Sequence, residues 1–436
     1  MNDTLKNTVL FAVVGGMMIL VGIFSGWNEA LYILNMGLIS AIMALGVNLQ
    51  WGLAGLFNVG IMGFVAIGGL ATILVTMPAT SDAVDAGGLR IVLAMISGAA
   101  TIGLIIFTKR KLPKSRMRAL VLIAMAIVGF FVFRAIFDPA VDAIEKVNPA
   151  STGYLGGLGL PAVIAWPIGG LFAAGIAWLI GKTALGLRSD YLAIATLGIA
   201  EIILAVLKNE DWLSRGVKNV IGIPRPTLTP YEIDLQNSAS FVEKAAEYGL
   251  SPIVASSIMV KLSYSLMFTG VLIAIFILAQ LAIKSPWGRM MRAIRDNEHA
   301  AGAMGKNVTA RHLQIFVLGS AIVGIAGAMM TTMDGQLTPG TYQPLRFTFL
   351  IWVMVIVGGS GNNLGSILGG FLIWFLWIQG EPLGNWLMQT ITSGMADGSA
   401  LKDHLLGSAA HMRLLTIGVI LLMVLRFSPR GLIPEK

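Results

Sequence analysis

Residues 264–283 read Tyr264-Ser-Leu-Met-Phe-Thr-Gly-Val-Leu-Ile-Ala-Ile-Phe-Ile-Leu-Ala-Gln-Leu-Ala-Ile283, a run without a single charged side chain. A hydrocarbon core about 30 Å thick is crossed by roughly 17–25 residues of helix, so this run is long enough to span a bilayer. It is followed at once by Lys284-Ser-Pro-Trp-Gly-Arg-Met-Met-Arg-Ala-Ile-Arg-Asp296, which is as charged as its predecessor is bare. The same alternation recurs along the chain and decides the fold class: all-α, a polytopic integral membrane helical bundle.

Composition agrees. Of 436 residues, 56% are hydrophobic and 12% charged, with a mean hydropathy of +0.81. A soluble domain carries about 25% charged residues, so this chain lacks the charge to cover several soluble domains. Disordered chains are charged and poor in apolar residues, which excludes disorder. The 52 glycines follow no three-residue period, which excludes a collagen-like repeat. The absence of cysteine removes disulfides, thiolate metal sites and cysteine nucleophiles.

Working outward from 264–283, the candidate spans are 8–24, 31–49, 53–77, 89–107, 119–137, 161–181, 191–207, 264–283, 313–333, 347–357, 364–377 and 414–425. The last three are short or interrupted by glycine, so ten to twelve membrane segments are expected. The start (MNDTLK) is weakly charged and lacks a small-x-small cleavage pattern, so the first span reads as a retained helix.

With the amino terminus inside, the cytoplasmic pieces are 1–7, 108–118, 182–190, 284–312 and 426–436. They hold 18 of the 30 Lys and Arg but 5 of the 22 acids. Basic loops alternate with acidic ones such as 138–145, as the positive-inside rule requires. Both termini are therefore expected in the cytoplasm. The net charge of +8 is read as this loop bias and not as a nucleic-acid surface.

Two polar pieces stand out. The external loop 208–262 contains Ile223-Pro224-Arg225-Pro226 and Pro230, which predict an ordered extended turn. An amphipathic helix is expected from Tyr231 to Tyr248, serving either an external partner or the membrane interface. The cytoplasmic loop 284–312 predicts one helix from Pro286 to Gly305. Ser285 is its cap, Met290, Ile294, Ala301 and Met304 form an apolar stripe, and Arg289, Arg292 and Arg295 form a charged flank. Thr309 is expected to cap the next membrane helix. A stripe too narrow to bury itself beside a charged flank suits docking into a partner's groove; membrane-surface binding is the other reading.

No enzyme constellation is present. The histidines have no metal-ligand spacing. Gly175-Ile-Ala-Trp-Leu-Ile-Gly181-Lys182-Thr183 has five residues between its glycines where a phosphate-binding loop needs four, and it ends an apolar span. Most glycines within spans, including Gly22 to Gly26 and Gly319 to Gly327, are expected at close helix contacts. Two clusters add polar residues: 46–60 (GVNLQWGLAGLFNVG), read as a broken helix, and 358–365 (GGSGNNLG), read as a tight turn. Asn48, Asn58 and Glu201 are the candidates for a polar transport path, Glu201 being the one carboxylate deep in a span. A structural bond between helices is its other reading. Arg134 is expected to snorkel to the interface.

In these stretches the sequence resembles the permease subunits of branched-chain amino-acid ABC importers, the LivM-type subgroup. The resemblance is carried by 46–69 (GVNLQWGLAGLFNVGIMGFVAIGG), 187–203 (LRSDYLAIATLGIAEII), 285–329, 358–370 and Ser428-Pro-Arg-Gly-Leu432, in family order. Within the third, Glu298, Ala300, Ala301 and Gly305 match an E-A-A-x-x-x-G-like coupling pattern with one residue inserted. Gly288, Arg289, Arg292, Arg295 and Asp296 precede it in the same loop. Where the family often shows T-G-G-x-x-G after Trp212, this chain reads Leu213-Ser-Arg-Gly-Val-Lys-Asn219, and 78–150 and 380–412 carry no matching motif.

The resemblance implies one transmembrane permease domain over 1–436 in a bacterial inner membrane, with no cofactor and no ATP hydrolysis of its own. It implies as partners a second homologous permease, two cytoplasmic ATPase subunits, a periplasmic solute-binding protein, a small-molecule substrate and membrane lipid. The expected solute is a branched-chain or other neutral amino acid. Urea or a short amide, an ion-coupled secondary transporter and a structural membrane anchor stay open.

Overall fold

The computed structural model describes residues 3–396 and 398–435. Among the described residues, ten helices are long and apolar enough to cross a membrane, and two shorter apolar helices, Ile61–Thr76 and Pro344–Gly358, lie among them. Every expected span contains a helix, but 53–77 is broken, its second helix starting only at Ile61. In chain order these are α1 (Asp3–Phe24), α2 (Trp27–Ala54), α3 (Ile61–Thr76), α4 (Leu89–Lys111), α5 (Arg116–Glu145), α6 (Ala162–Ala184) and α7 (Ser189–Asn209). Two short helices, α8 (Glu232–Asn237) and α9 (Ala239–Glu247), precede the long α10 (Pro252–Lys284). The loop after it forms α11 (Pro286–Asp296) and α12 (Glu298–Ala303), followed by α13 (Val308–Asp334), α14 (Pro344–Gly358), α15 (Asn363–Thr392), α16 (Ala400–Gly407) and α17 (Met412–Phe427). Among the described residues the one regular sheet is the antiparallel pair Val220–Ile221 with Gln336–Leu337.

Lipid offers no hydrophobic drive between helices, so tight association depends on small residues that let backbones approach. Helix α13 is the hub because it carries them on several faces. Gly319 meets α2, where a Cβ added at Gly46 would stand 2.7 Å from the Gly319 carbonyl oxygen. Gly324 meets Gly68 of α3 and Gly169 of α6, and Gly327 meets Val65 of α3. On the far side of α2, a Cβ at Gly370 of α15 would lie 2.7 Å from Cα of Ala41. With α14, whose Gly358 packs on Gly365 of α15, helices α2, α3, α13 and α15 form the buried centre. In the 22–26 stretch the expectation holds for Gly22, which lies against the ring of Trp27 at the start of α2, whereas Gly26 (φ +110°) makes the α1–α2 turn and has no close helix contact.

Helices α4 and α5 pack on each other and expose apolar side chains along almost their whole length. They join the remainder through a small cluster of Ile91, Ala140, Ile144 and Trp212. Residues 138–145, expected as a loop, continue α5 through Pro139. Arg134, expected to snorkel to the interface, is exposed near the end of its span and pairs with Asp138 one turn on, at 2.8 Å.

The interhelical segments gather at two ends. At one, Leu155 N–H donates to the Trp212 carbonyl (3.0 Å), Lys261 Nζ donates to the Asn28 carbonyl (3.0 Å), and Val220 pairs with Leu337. At the other, the backbone N–H groups of Leu432 and Ile433 donate to Val357 and Gly358, beside α11. The second end is the basic one, carrying Arg289, Arg292, Arg295 and Arg430 around one surface cavity of about 770 Å³.

Several boundaries differ from expectation. The span 364–377 lies inside a helix of 30 residues. The amphipathic segment 231–248 is two helices divided at Ser238, whose extended backbone (φ −84°, ψ 112°) breaks the hydrogen-bond ladder. Ahead of it the Ile223–Pro226 turn is ordered as expected, held by Arg225, whose guanidinium donates to both carboxylate oxygens of Glu232 at 2.5 and 3.1 Å.

Candidate functional site

The helix break expected in 46–60 is present. Helix α2 stops at Ala54 because Gly55 takes a left-handed conformation (φ +70°), letting its own N–H and that of Leu56 close on Trp51 and Gln50 carbonyls. Residues 55–60 then run without helical bonds until α3 starts at Ile61. Backbone groups freed inside a membrane protein must be satisfied by protein, and buried amides do so here. Asn58 Nδ2 donates to Gln50 Oε1 (2.9 Å), while Asn58 Oδ1 accepts from Gly60 N–H (2.9 Å). Gln50 Nε2 donates to the Phe316 carbonyl (2.9 Å) and Ser320 Oγ (3.0 Å) on α13. Trp352 Nε1 donates to the Asn58 carbonyl (3.0 Å), and its ring meets those of Trp51 and Phe57 at centroid distances of 5.1 and 4.7 Å.

Asn48 belongs to the adjoining contact. Its Nδ2 donates to Asn363 Oδ1 (2.9 Å) and its Oδ1 accepts from Gly361 N–H (2.8 Å), tying α2 to the 359–362 turn. That turn is the tight one expected between α14 and α15. Asn48 and Asn58 thus lie in one buried polar belt, with Gln50 as the third amide, which sequence reasoning passed over. Its signal was in plain sight: Gln50 sits between the two asparagines, two residues after Asn48, in an otherwise apolar segment.

Glu201 is elsewhere. Ala200 packs against Gly63 of α3, and Glu201, one residue on, turns into an open groove of about 720 Å³ shared with Lys208, Gln343, Arg346 and Leu414. It makes no hydrogen bond or ion pair with any described residue, so the expected alternative of a bond between helices of this chain is not realised.

At the basic end, Ser285 Oγ accepts from Gly288 N–H (3.3 Å) and Pro286 occupies the first turn, as expected. Gly288 is buried where a side chain would strike the carbonyls of Ala282 and Ile283. The single helix 286–305 is corrected to two. Asn297 is extended (φ −155°) and its side chain caps α12 through Ala300 N–H (2.9 Å), because an Asx side chain competes with the helical ladder. In the first helix Met291 and Ile294 are buried and Met290 is half-buried; past the corner Ala301 is buried while Met304 is 80% exposed. Gly305 ends α12 with φ +77°, and Asn307, not Thr309, caps α13.

The three arginines also divide. Arg289 is exposed and Arg292 half-buried, whereas Arg295 turns inward. Its guanidinium reaches the Gly52 carbonyl, three residues before the break, and Glu435 Oε2 at 2.7 Å. Burial disfavours the Arg295 cation, but the hydrogen bond and charge of Glu435 outweigh this and raise its pKa above the ordinary value. Asp296, Glu298 and Ala300 face outward.

Residues 29–154 and 150–425 match the family described as the permease component of the branched-chain amino acid transport system. The chain belongs to that family. The matched segments take in the regions 78–150 and 380–412 that carried no recognisable motif. The chain is similar to the high-affinity branched-chain amino acid transport system permease protein LivM of Escherichia coli K12, with 30% identity over 48% of each chain. It is similar to a probable LivM of Methanocaldococcus jannaschii, 26% identical over 57% of this chain and 61% of that one. A probable LivH permease of the same organism is 30% identical over 28% and 42%. The chain thus spans about half the length of the curated relatives it matches. No solved structure matches it. As a family member with ten membrane-length helices, it is a multi-pass membrane permease component.

Proposed function

We propose that this permease is the membrane-spanning subunit of an ATP-driven importer that carries branched-chain or other neutral amino acids inward across a bacterial inner membrane. The basic end faces the cytoplasm in this reading, which agrees with the positive-inside bias. It works with a second homologous permease, two cytoplasmic ATPase subunits and an external solute-binding protein. The loop 208–262 lies outside, where that binding protein docks.

The observation that carries the reading is the contact of Arg295 with the Gly52 carbonyl. Helices α11 and α12 expose Arg289, Asp296, Glu298 and Ala300 outward, while Arg295 reaches inward to the end of α2, just before its break. Ala301 is buried, and Gly288 and Gly305 fix the two ends of the device. Displacement of α11 by the ATPases then acts on residues 55–60, a segment without a helical ladder to resist it. The amides of Asn48, Gln50 and Asn58 hold the resting arrangement and offer polar groups to the path when it shifts. Glu201 lines an open groove that the second permease covers. No step requires catalysis or a cofactor in this chain.

The test is uptake of labelled leucine, urea and other neutral solutes by vesicles containing the whole complex. ATP-dependent leucine uptake, absent when the ATPases are omitted, is the expected result. Uptake by the permease alone under an ion gradient overturns it in favour of a secondary carrier, and no flux in a complete complex favours an anchor.

A further inference from the structure

A cavity of about 170 Å³ runs into the centre of the bundle between α2, α3, α13, α14 and α15. Its inner wall is Met36, Met43, Met62, Met330, Met354 and Trp374. An engineered cavity of about 150 Å³ lined by apolar side chains binds benzene, so this one has room for a branched four-carbon side chain. Methionine is unbranched and polarisable and adapts to differently shaped apolar groups. Asp334 and Thr341 also line it, and Asp334, exposed at the end of α13 away from α11, marks its solvent-facing rim.

Asp334 is the last residue of α13 and makes no hydrogen bond or ion pair with any described residue. Its side chain is exposed to solvent, with Tyr32 and Tyr342 within electrostatic reach. The carbonyl end of a helix attracts cations, and here it adds to the carboxylate. A buried wall with a lone anion at its rim is complementary to a group that is apolar at one end and cationic at the other. Trp374, in the same wall, keeps an indole N–H with no acceptor.

We infer that this cavity is a substrate site, in which the α-ammonium of a neutral amino acid pairs with Asp334 and its branched side chain enters the methionine-lined wall. The α-carboxylate is left toward the open mouth. The inference rests on the proposed transport function and adds a site within this subunit.

The experiment uses the purified full-length chain in lipid nanodiscs, titrated with L-leucine, 3-methylbutylamine and 4-methylpentanoic acid while tryptophan fluorescence is followed. The first two share the ammonium and the branched tail; the third keeps the tail and the carboxylate but lacks the ammonium. Leucine and the amine saturate the signal and the acid does not. Asp334→Asn weakens binding of both by at least about tenfold, the scale of a lost charged hydrogen bond. Asp334→Glu restores binding, and Met43→Trp, which fills the wall, abolishes it without changing charge. Equal binding of the acid, or full affinity in Asp334→Asn, overturns the site. ATP-driven leucine uptake that Asp334→Asn and Met43→Trp leave unchanged also refutes it, with the transport function standing. Binding that follows these rules in a chain whose complete complex moves no amino acid supports the site and refutes the function.

Discussion

Arg295 of α11 and Glu435 near the carboxy terminus, 140 positions apart, meet at 2.7 Å, and the same guanidinium holds the Gly52 carbonyl. Both side chains are about one-quarter exposed. The pair links the basic loop, the terminal tail and the broken end of α2 at one cation. Arg295→Met keeps the length of the side chain and removes its charge. The expected outcome is a complex that assembles and hydrolyses ATP but moves about tenfold less solute per ATP. Glu435→Gln gives a smaller loss, because the Gly52 contact remains. Parallel assays of ATP hydrolysis and uptake check both.

The outward residues of the same loop carry a separate prediction. Gly305 has φ +77° and donates its N–H to the Gly302 carbonyl at 2.9 Å. Proline can meet neither requirement. Glu298→Lys combined with Gly305→Pro is expected to abolish co-purification of the ATPases while membrane insertion is unchanged. Normal co-purification of the ATPases with this double variant counts against docking at α11 and α12.

Loss of an amide from the buried belt is a matter of stability. Asn48→Leu leaves Gly361 N–H without its acceptor and Asn363 without its donor. A stranded buried polar group costs about 1–3 kcal/mol. A fall in the thermal midpoint of the solubilised chain is expected, and a smaller fall for Ser320→Ala, since Gln50 keeps its bond to the Phe316 carbonyl.

Close approach of α2 and α13 predicts a second stability series. Gly46→Ala and Gly319→Ala each place a methyl against the carbonyl of the other position, at 2.7 and 2.6 Å. Overpacking of this kind costs about 1–3 kcal/mol. Gly270→Ala on α10 meets nothing within 4 Å and is expected to be neutral. Thermal unfolding of the three variants distinguishes them.

Acid is expected to open the 208–262 loop. Burial raises the Glu232 carboxyl, but the hydrogen bonds and charge of Arg225 outweigh this and hold it below its ordinary value of 4.5. A depressed carboxylate stabilises the fold above its ordinary value, and that contribution is lost as pH falls through the lower folded value. Limited proteolysis of this loop should therefore accelerate as the pH falls below the ordinary carboxylate value of 4.5. Glu232→Gln should already be cleaved faster at neutral pH, with less further change on acidification.

The sequence by itself determined the solvent and the places of the membrane helices in the chain, because an apolar run in lipid must satisfy its backbone hydrogen bonds internally. It also marked local stops written in single residues, such as Ser285, Gly55 and Gly305. Tertiary structure decided what those helices do to one another. The division of 286–305 at Asn297, the inward turn of Arg295 and its partners Gly52 and Glu435 all involve groups distant in sequence or a choice between local and helical hydrogen bonds. Asp334 shows the same limit: along the chain it is an acid at the end of a span, and only the packing of five helices sets methionines behind it. Helical periodicity gives the direction of a side chain around its own axis, but the neighbour it meets depends on which small residues allow two axes to approach.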